Sequence, residues 1–247
     1  MIPLKSEKDL EMLKIAGRIL SRVMQRLRES VKAGISTVEL DSLAWKLIES
    51  EQAIPAFKGY KGYPANICTS INEEIVHGIP SGRRLKEGDI ISLDVGINYK
   101  GYFSDAAITL GIGRIDSGAK RLIDVTGGAL SEGIRKARAG NYLSDISYAV
   151  QSYAEAAGFS VVREFVGHGI GNSLHEEPEI PNFGQPHQGP VIKNGMVFAI
   201  EPMVNAGTWR SRILENQWTA VTADGELSAH FEHTVAVTDK GPEILTA

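Results

Sequence analysis

Apolar residues recur at helical spacing near the start of the chain. Leu10, Leu13, Gly17, Leu20, Met24 and Leu27 fall three or four apart, which predicts one buried helical stripe. Ser6 followed by Asp9 has the form of a capping box and marks where that helix begins. A second box, Ser36 with Glu39, opens a helix whose apolar positions are Leu40, Leu43, Leu47 and Ile48. Residues 54–82 are rich in glycine, proline and aromatic side chains and read as loops with short strands. The period then changes to two. In DIISLDVGINYKGYFSDAAITLGIG, Ile91, Leu93, Val95 and Ile97 alternate onto one face, which predicts a hairpin over 89–112. Two more helices are predicted at 117–138 and 144–157. A glycine-rich stretch at 167–171, a Pro/Gly/Asn-rich loop at 178–195 and strand-like runs at 196–204 and 229–238 complete the pattern. Two helices before a strand pair thus occur twice. That order suggests a degenerate duplication in an α+β fold, with halves of roughly 1–113 and 114–247. No low-complexity linker separates them, so the expectation is a single catalytic domain.

Composition narrows the function classes. Of 247 residues, 43% are hydrophobic and 23% charged, an ordinary soluble globular balance. The net charge of −4 lacks the basic excess of nucleic-acid binders, so no sequence-specific nucleic-acid partner is expected. Arg18, Arg22 and Arg26 recur every four residues away from the apolar stripe. They read as a solvated face, with a transient ribosome contact as the sharper alternative. The one cysteine, Cys68, allows neither an internal disulfide nor a Cys/His zinc module. No run reaches the roughly 18–20 apolar residues of a membrane span, and the first fourteen residues are too charged for a signal core. The expectation is a cytoplasmic protein, monomeric because its site needs no partner.

Five charged or titratable residues stand out of place. Asp94, Asp105, His168, Glu201 and Glu232 each lie in an apolar or glycine-rich stretch. A turn centred on Tyr99 and Lys100 would set Asp94 directly across from Asp105, where like charges destabilise a sheet unless a cation lies between them. GHGIG surrounds His168 with glycines that allow close backbone approach. Glu201 lies in VFAIEPMV, where Pro202 implies a strand edge, bulge or end. Glu232 lies in HFEHTVAV, with His230 and Thr234 on the same side by alternation.

Burying one unpaired carboxylate is costly, and burying four demands strong positive charge among them. Four carboxylates can neutralise two divalent ions. Oxygen-rich donors with one imidazole and no thiolate suit Co, Mn, Fe or Zn. Two such ions at roughly 3.5–4 Å activate a water and polarise a carbonyl, which describes amide or ester hydrolysis. Phosphoryl transfer is the competitor, but no phosphate-binding loop is present.

The strings GYKGYPANICTSINEEIVHGIP, ISLDVG with SDAAITLGIG, GHGIGNSLHEEP, FAIEPMVNAG and SAHFEHTVAVT resemble those of type I methionine aminopeptidases over essentially the whole chain. The lone cysteine and the absence of an insertion between GHGIG and EPMV match the short bacterial-style form. The resemblance implies the duplicated "pita-bread" fold, an antiparallel sheet with two pairs of covering helices and pseudo-twofold halves. It implies that Asp94 binds one ion, His168 and Glu201 the other, and that Asp105 and Glu232 bridge both. His77 then contacts the scissile amide nitrogen, His175 the carbonyl oxygen, and Glu201 relays a proton. Tyr60, Tyr63, Cys68 and Trp218 match positions lining the methionine pocket, and Leu174 stands where many relatives carry phenylalanine. The implied substrates are peptides and nascent chains whose second residue is small. The alternatives are an X-Pro aminopeptidase or dipeptidase of the same fold, and a non-catalytic binding protein that keeps it.

Overall fold

Both predicted capping boxes form. The Asp9 N–H donates to the Ser6 hydroxyl at 3.2 Å and the Ser6 N–H donates to the Asp9 carboxylate at 2.9 Å, opening helix α1 (Glu7–Ser30). The Ser36 N–H donates to Glu39 Oε2 at 2.8 Å where helix α2 (Thr37–Ser50) begins. The protein is described by a computed structural model over residues 2–247. Leu13, Gly17, Leu20, Met24 and Leu27 are buried along α1, as the stripe predicts, while its first position, Leu10, is half-buried. Gly17 has no alternative there, since a Cβ would run into the Leu245 carbonyl. Helices α3 (Ser117–Lys136) and α4 (Leu143–Ala156) lie within two residues of their predicted limits.

The main sheet has nine strands: β1 (Ile54–Pro55), β2 (Cys68–Ile71), β3 (Ile90–Tyr99), β4 (Tyr102–Gly111), β5 (Gly167–Gly169), β6 (Glu176–Ile180), β7 (Val197–Ile200), β8 (Glu232–Thr238) and β9 (Gly241–Ile244). Their order is β1-β3-β4-β8-β7-β5-β6, with β2 also on β3 and β9 also on β8. Every pairing is antiparallel. Two short three-stranded sheets flank it, one through Met203–Asn205 and one through Ala220–Thr222.

Alternation separates the two faces. Ile91, Leu93, Val95 and Ile97 of β3 pack with Leu20, Leu27, Leu40 and Ile48 of α1 and α2. Phe198 and Ile200 of β7 and Val235 and Val237 of β8 pack with Leu130, Ile134 and Ile146 of α3 and α4. Each helix pair therefore covers the outer face of its own half of the sheet. The inner face carries the out-of-place polar residues. This is the duplicated α+β "pita-bread" architecture.

One register expectation is corrected. The hairpin turns at Lys100 and Gly101, both with positive φ (53° and 87°), not at Tyr99 and Lys100. A two-residue turn with positive φ at both positions matches the twist of antiparallel strands, and glycine accepts that conformation without cost. Tyr99 consequently faces Tyr102, Asp94 faces Ala107, and Asp105 faces Gly96. The two aspartates are diagonal neighbours rather than directly opposed. A slip of two residues preserves the face, so both still point inward. The strand-like runs at 196–204 and 229–238 are each broken in two, the first at Glu201–Pro202 and the second at Phe231.

Candidate metal centre

The sheet register brings the polar residues into a row. Cys68 of β2 pairs with Asp94 of β3, Asp94 with Ala107 of β4, and Ala107 with Glu232 of β8. Residues that pair directly share a face. Asp94 and Glu232 thus flank a side chain no larger than a methyl group, which leaves space between their carboxylates. Asp105 stands two residues along β4 on the same face. His168 of β5 pairs with Ala199 of β7, and Glu201 follows where β7 ends. All eleven predicted site residues line one cleft: Tyr60, Tyr63, Cys68, His77, Asp94, Asp105, His168, His175, Glu201, Trp218 and Glu232. Leu174, Phe57 and Lys61 complete its lining.

The glycines around His168 have a steric reason. A Cβ on Gly167 would overlap the Ala199 carbonyl, and one on Gly169 the Glu177 carbonyl. His168 Nδ1 lies 2.8 Å from the Gly169 carbonyl, an acceptor only, so Nδ1 carries the proton. Nε2 is left with a free lone pair directed into the cleft. Burial lowers the His168 pKa to about 4, which keeps the ring neutral near pH 7.

The carboxylates behave in the opposite sense. Burial first, and neighbouring carboxylates second, push Asp94, Glu201 and Glu232 well above the usual carboxylate range; burial also raises Asp105. Asp94 Oδ1 and Glu232 Oε1 are enclosed yet have no hydrogen-bond partner. Buried oxygens are normally satisfied, so these two call for a group the chain does not supply. Donor atoms of Asp105, His168 and Glu232 lie within 4.8 Å of one another, and so do those of Glu201, His230 and Glu232. Orphaned oxygens, a neutral imidazole of fixed tautomer and hard oxygen donors together fit divalent cations.

The remaining predicted residues surround this cluster. His175 stacks on Tyr60, with ring centroids 5.1 Å apart, and its ring lies 4.1 Å from that of His168. Its loop is pinned by Glu176, whose carboxylate pairs with Lys5 Nζ at 2.5 Å and accepts from the Asn172 N–H at 2.7 Å. His77 has φ of 60°, a conformation uncommon outside glycine, and its ring meets Phe165 and Trp218 edge-on. Burial lowers the pKa of His77 to about 4; burial, then His168, lowers that of His175 to about 3. Tyr63 packs edge-on against Trp218 at 5.1 Å and donates to the Gly78 carbonyl at 3.0 Å. Burial, then Asp94, pushes the Cys68 thiol well up, so it is a protonated apolar wall rather than a nucleophile.

Sequence reasoning missed Phe57 and Lys61 as lining residues. Phe57 is signalled only indirectly, by Gly96 on β3: a Cβ there would strike the Phe57 ring, so the glycine makes room for it. Lys61 had no signal beyond standing between Tyr60 and Tyr63.

Comparison with known proteins agrees with the geometry. The model of metallopeptidase family M24 matches residues 11–239. A methionine aminopeptidase of Clostridium perfringens is 51% identical over 246 residues, covering 100% of this chain and 99% of the relative. Methionine aminopeptidase 1 of Bacillus subtilis is 50% identical at the same coverage. The crystal structure of methionine aminopeptidase from Rickettsia prowazekii superposes with a TM-score of 0.99 at 42% identity, covering all of both chains. Prolidase from Pyrococcus furiosus shares the fold, with a TM-score of 0.78 at 22% identity over 65% of its length. Beside methionine aminopeptidases at about 50% identity over the full chain, the X-Pro alternative is not favoured. With half its residues identical to such relatives from end to end, this chain belongs to metallopeptidase family M24, on its methionine aminopeptidase branch.

Proposed function

We propose that in this metal-dependent methionine aminopeptidase Asp94, Asp105, His168, Glu201 and Glu232 would hold two divalent ions. Co, Mn, Fe and Zn all suit these donors. When bound, such ions supply Lewis acidity, lowering the pKa of a water and polarising a carbonyl oxygen.

The chain's own residues do the rest. Tyr60, Tyr63, Cys68, Trp218 and Leu174 form an apolar and sulfur-containing wall that accepts an unbranched thioether side chain. The Glu201 carboxylate takes a proton from the attacking water and delivers it to the leaving amine. His175 is a neutral donor at pH 7, so it hydrogen-bonds the oxygen on which negative charge develops without bringing a second net charge. His77, likewise neutral, holds the scissile amide nitrogen. Substrates are peptides and nascent chains that begin with methionine and carry a small second residue.

The observation that carries this reading is the convergence of five distant donors on one cleft, two of them with enclosed, unpartnered oxygens. Location in the cytoplasm and action as a monomer fit a site built from one chain. Among the described residues no helix is long and apolar enough to cross a membrane. On the arginine face Arg22 and Arg26 pair with Glu51 and Glu29, which fits a solvated face and at most a transient ribosome contact. One domain with halves of roughly 1–113 and 114–247 accounts for the repeated helix-pair order. The test is turnover of Met-Ala, Met-Lys and X-Pro peptides by chelator-stripped protein, with each metal returned singly. Selective cleavage of Met-Ala with metal is expected. Metal-independent cleavage, or preference for X-Pro, overturns the reading.

A further inference from the structure

Glu201 sits between two imidazoles. His168 Nε2 lies 3.5 Å from its Oε1, and His230 Nε2 lies 3.6 Å from its Oε2. His168 already has a role in the centre, whereas His230 has none. Both rings are buried, His230 to 1% exposure. The His230 backbone is locked to β4, because its N–H donates to Thr109 Oγ1 at 2.9 Å and its carbonyl accepts from that hydroxyl at 2.8 Å. Its Nε2 is enclosed without a hydrogen-bond partner.

A separation of 3.6 Å is too long for a direct N–H···O bond. It is the separation of two donors that share an ion, since ligands about 2.1 Å from a cation stand roughly 3–3.6 Å apart at ordinary coordination angles. His168 stands in the same relation to the other oxygen of the same carboxylate. Glu232 belongs to two triads of mutually close donors, Asp105–His168–Glu232 and Glu201–His230–Glu232, and each contains one imidazole.

We propose that His230 is a sixth protein donor of the metal centre, so that two imidazoles rather than one face the ions. This rests on the metal reading of the cleft. A second nitrogen donor tilts the centre towards zinc, cobalt or iron and away from manganese.

The test compares the wild-type enzyme with H230Q, both stripped and reloaded with zinc. X-ray absorption counts imidazoles per zinc, and chelator competition gives affinity. The wild type should show two imidazoles per two-zinc centre, an average of one per zinc, and H230Q half that average. Zinc affinity of H230Q should fall roughly tenfold or more, with a smaller loss for manganese. Equal imidazole counts and equal zinc affinity overturn this inference alone. A wild-type chain that binds no zinc overturns the metal reading with it. Should H230Q fail to fold, zinc titration of wild-type protein with ¹⁵N-labelled histidine decides. Two Nε2 resonances must move on binding, and movement of only one overturns the proposal.

Discussion

Thr234 offers a direct way to loosen Asp105, one of the proposed metal ligands, without touching it. Its side chain is fully buried in β8. The Asp105 N–H donates to Thr234 Oγ1 at 2.9 Å, and that hydroxyl donates to the Asp105 carbonyl at 2.8 Å. Ladder pairing between β4 and β8 covers only Ala106 and Ala107, so the hydroxyl serves Asp105 as a paired backbone would. Replacing Thr234 by Val keeps the shape and orphans two buried backbone groups. Each such group costs about 1–3 kcal/mol, so T234V should lose about 2–6 kcal/mol. For a chain of this size that corresponds to a melting temperature lower by about 5–25 °C. T234S retains the hydroxyl and should lose only the buried methyl, about 1 kcal/mol. Thermal melts of the chelated proteins read the stability difference, and zinc competition reads the displacement of Asp105. Equal melts and equal zinc affinity for T234V and T234S would show that the hydroxyl does not hold Asp105.

Three further outcomes follow from the site. Asp105→Asn or Glu232→Gln should abolish peptidase activity while circular dichroism stays native, and near-normal turnover in a metal-replete variant removes the assignment. Metal-stripped protein should become less stable as pH rises above about 7: carboxylates with raised folded pKa values contribute stability that is lost as pH rises through them, whereas the buried histidines, lowered to between about 3 and 4, are already neutral in both states there. Melts of chelated protein that stay flat or rise across that window contradict the buried-carboxylate argument. Lys61 is the one lysine lining the cleft among the described residues, so K61E should lower kcat/KM for Met-Ala-Asp peptides relative to Met-Ala-Lys peptides by roughly three- to tenfold; an unchanged ratio excludes a contact with the downstream substrate residue.

Local rules made much of this protein legible. Caps at Ser6 and Ser36 and the stripe from Leu13 to Leu27 depend on neighbours within one or two turns, and they appear where the chain predicts them. The alternation of Ile91, Leu93, Val95 and Ile97 assigns Asp94 to the inner face without knowledge of its partner strand. Charges embedded in apolar runs marked the donors, because burial of such groups is too costly to be incidental. The family strings imply roles for His77 and His175, which as isolated histidines carry little signal.

What periodicity cannot supply is which residue meets which across the sheet. It reports the face of a side chain but not its position along the neighbouring strand. The turn at Lys100–Gly101 shifted the hairpin by two residues, and only the assembled strands set Cys68, Asp94, Ala107 and Glu232 in one row. His230 shows the same limit, since its approach to Glu201 depends on a separate small sheet that pairs it with Met203. Identity, order and facing of the donors are thus properties of the chain, whereas their spacing around a shared cation belongs to long-range strand pairing, which no local pattern encodes.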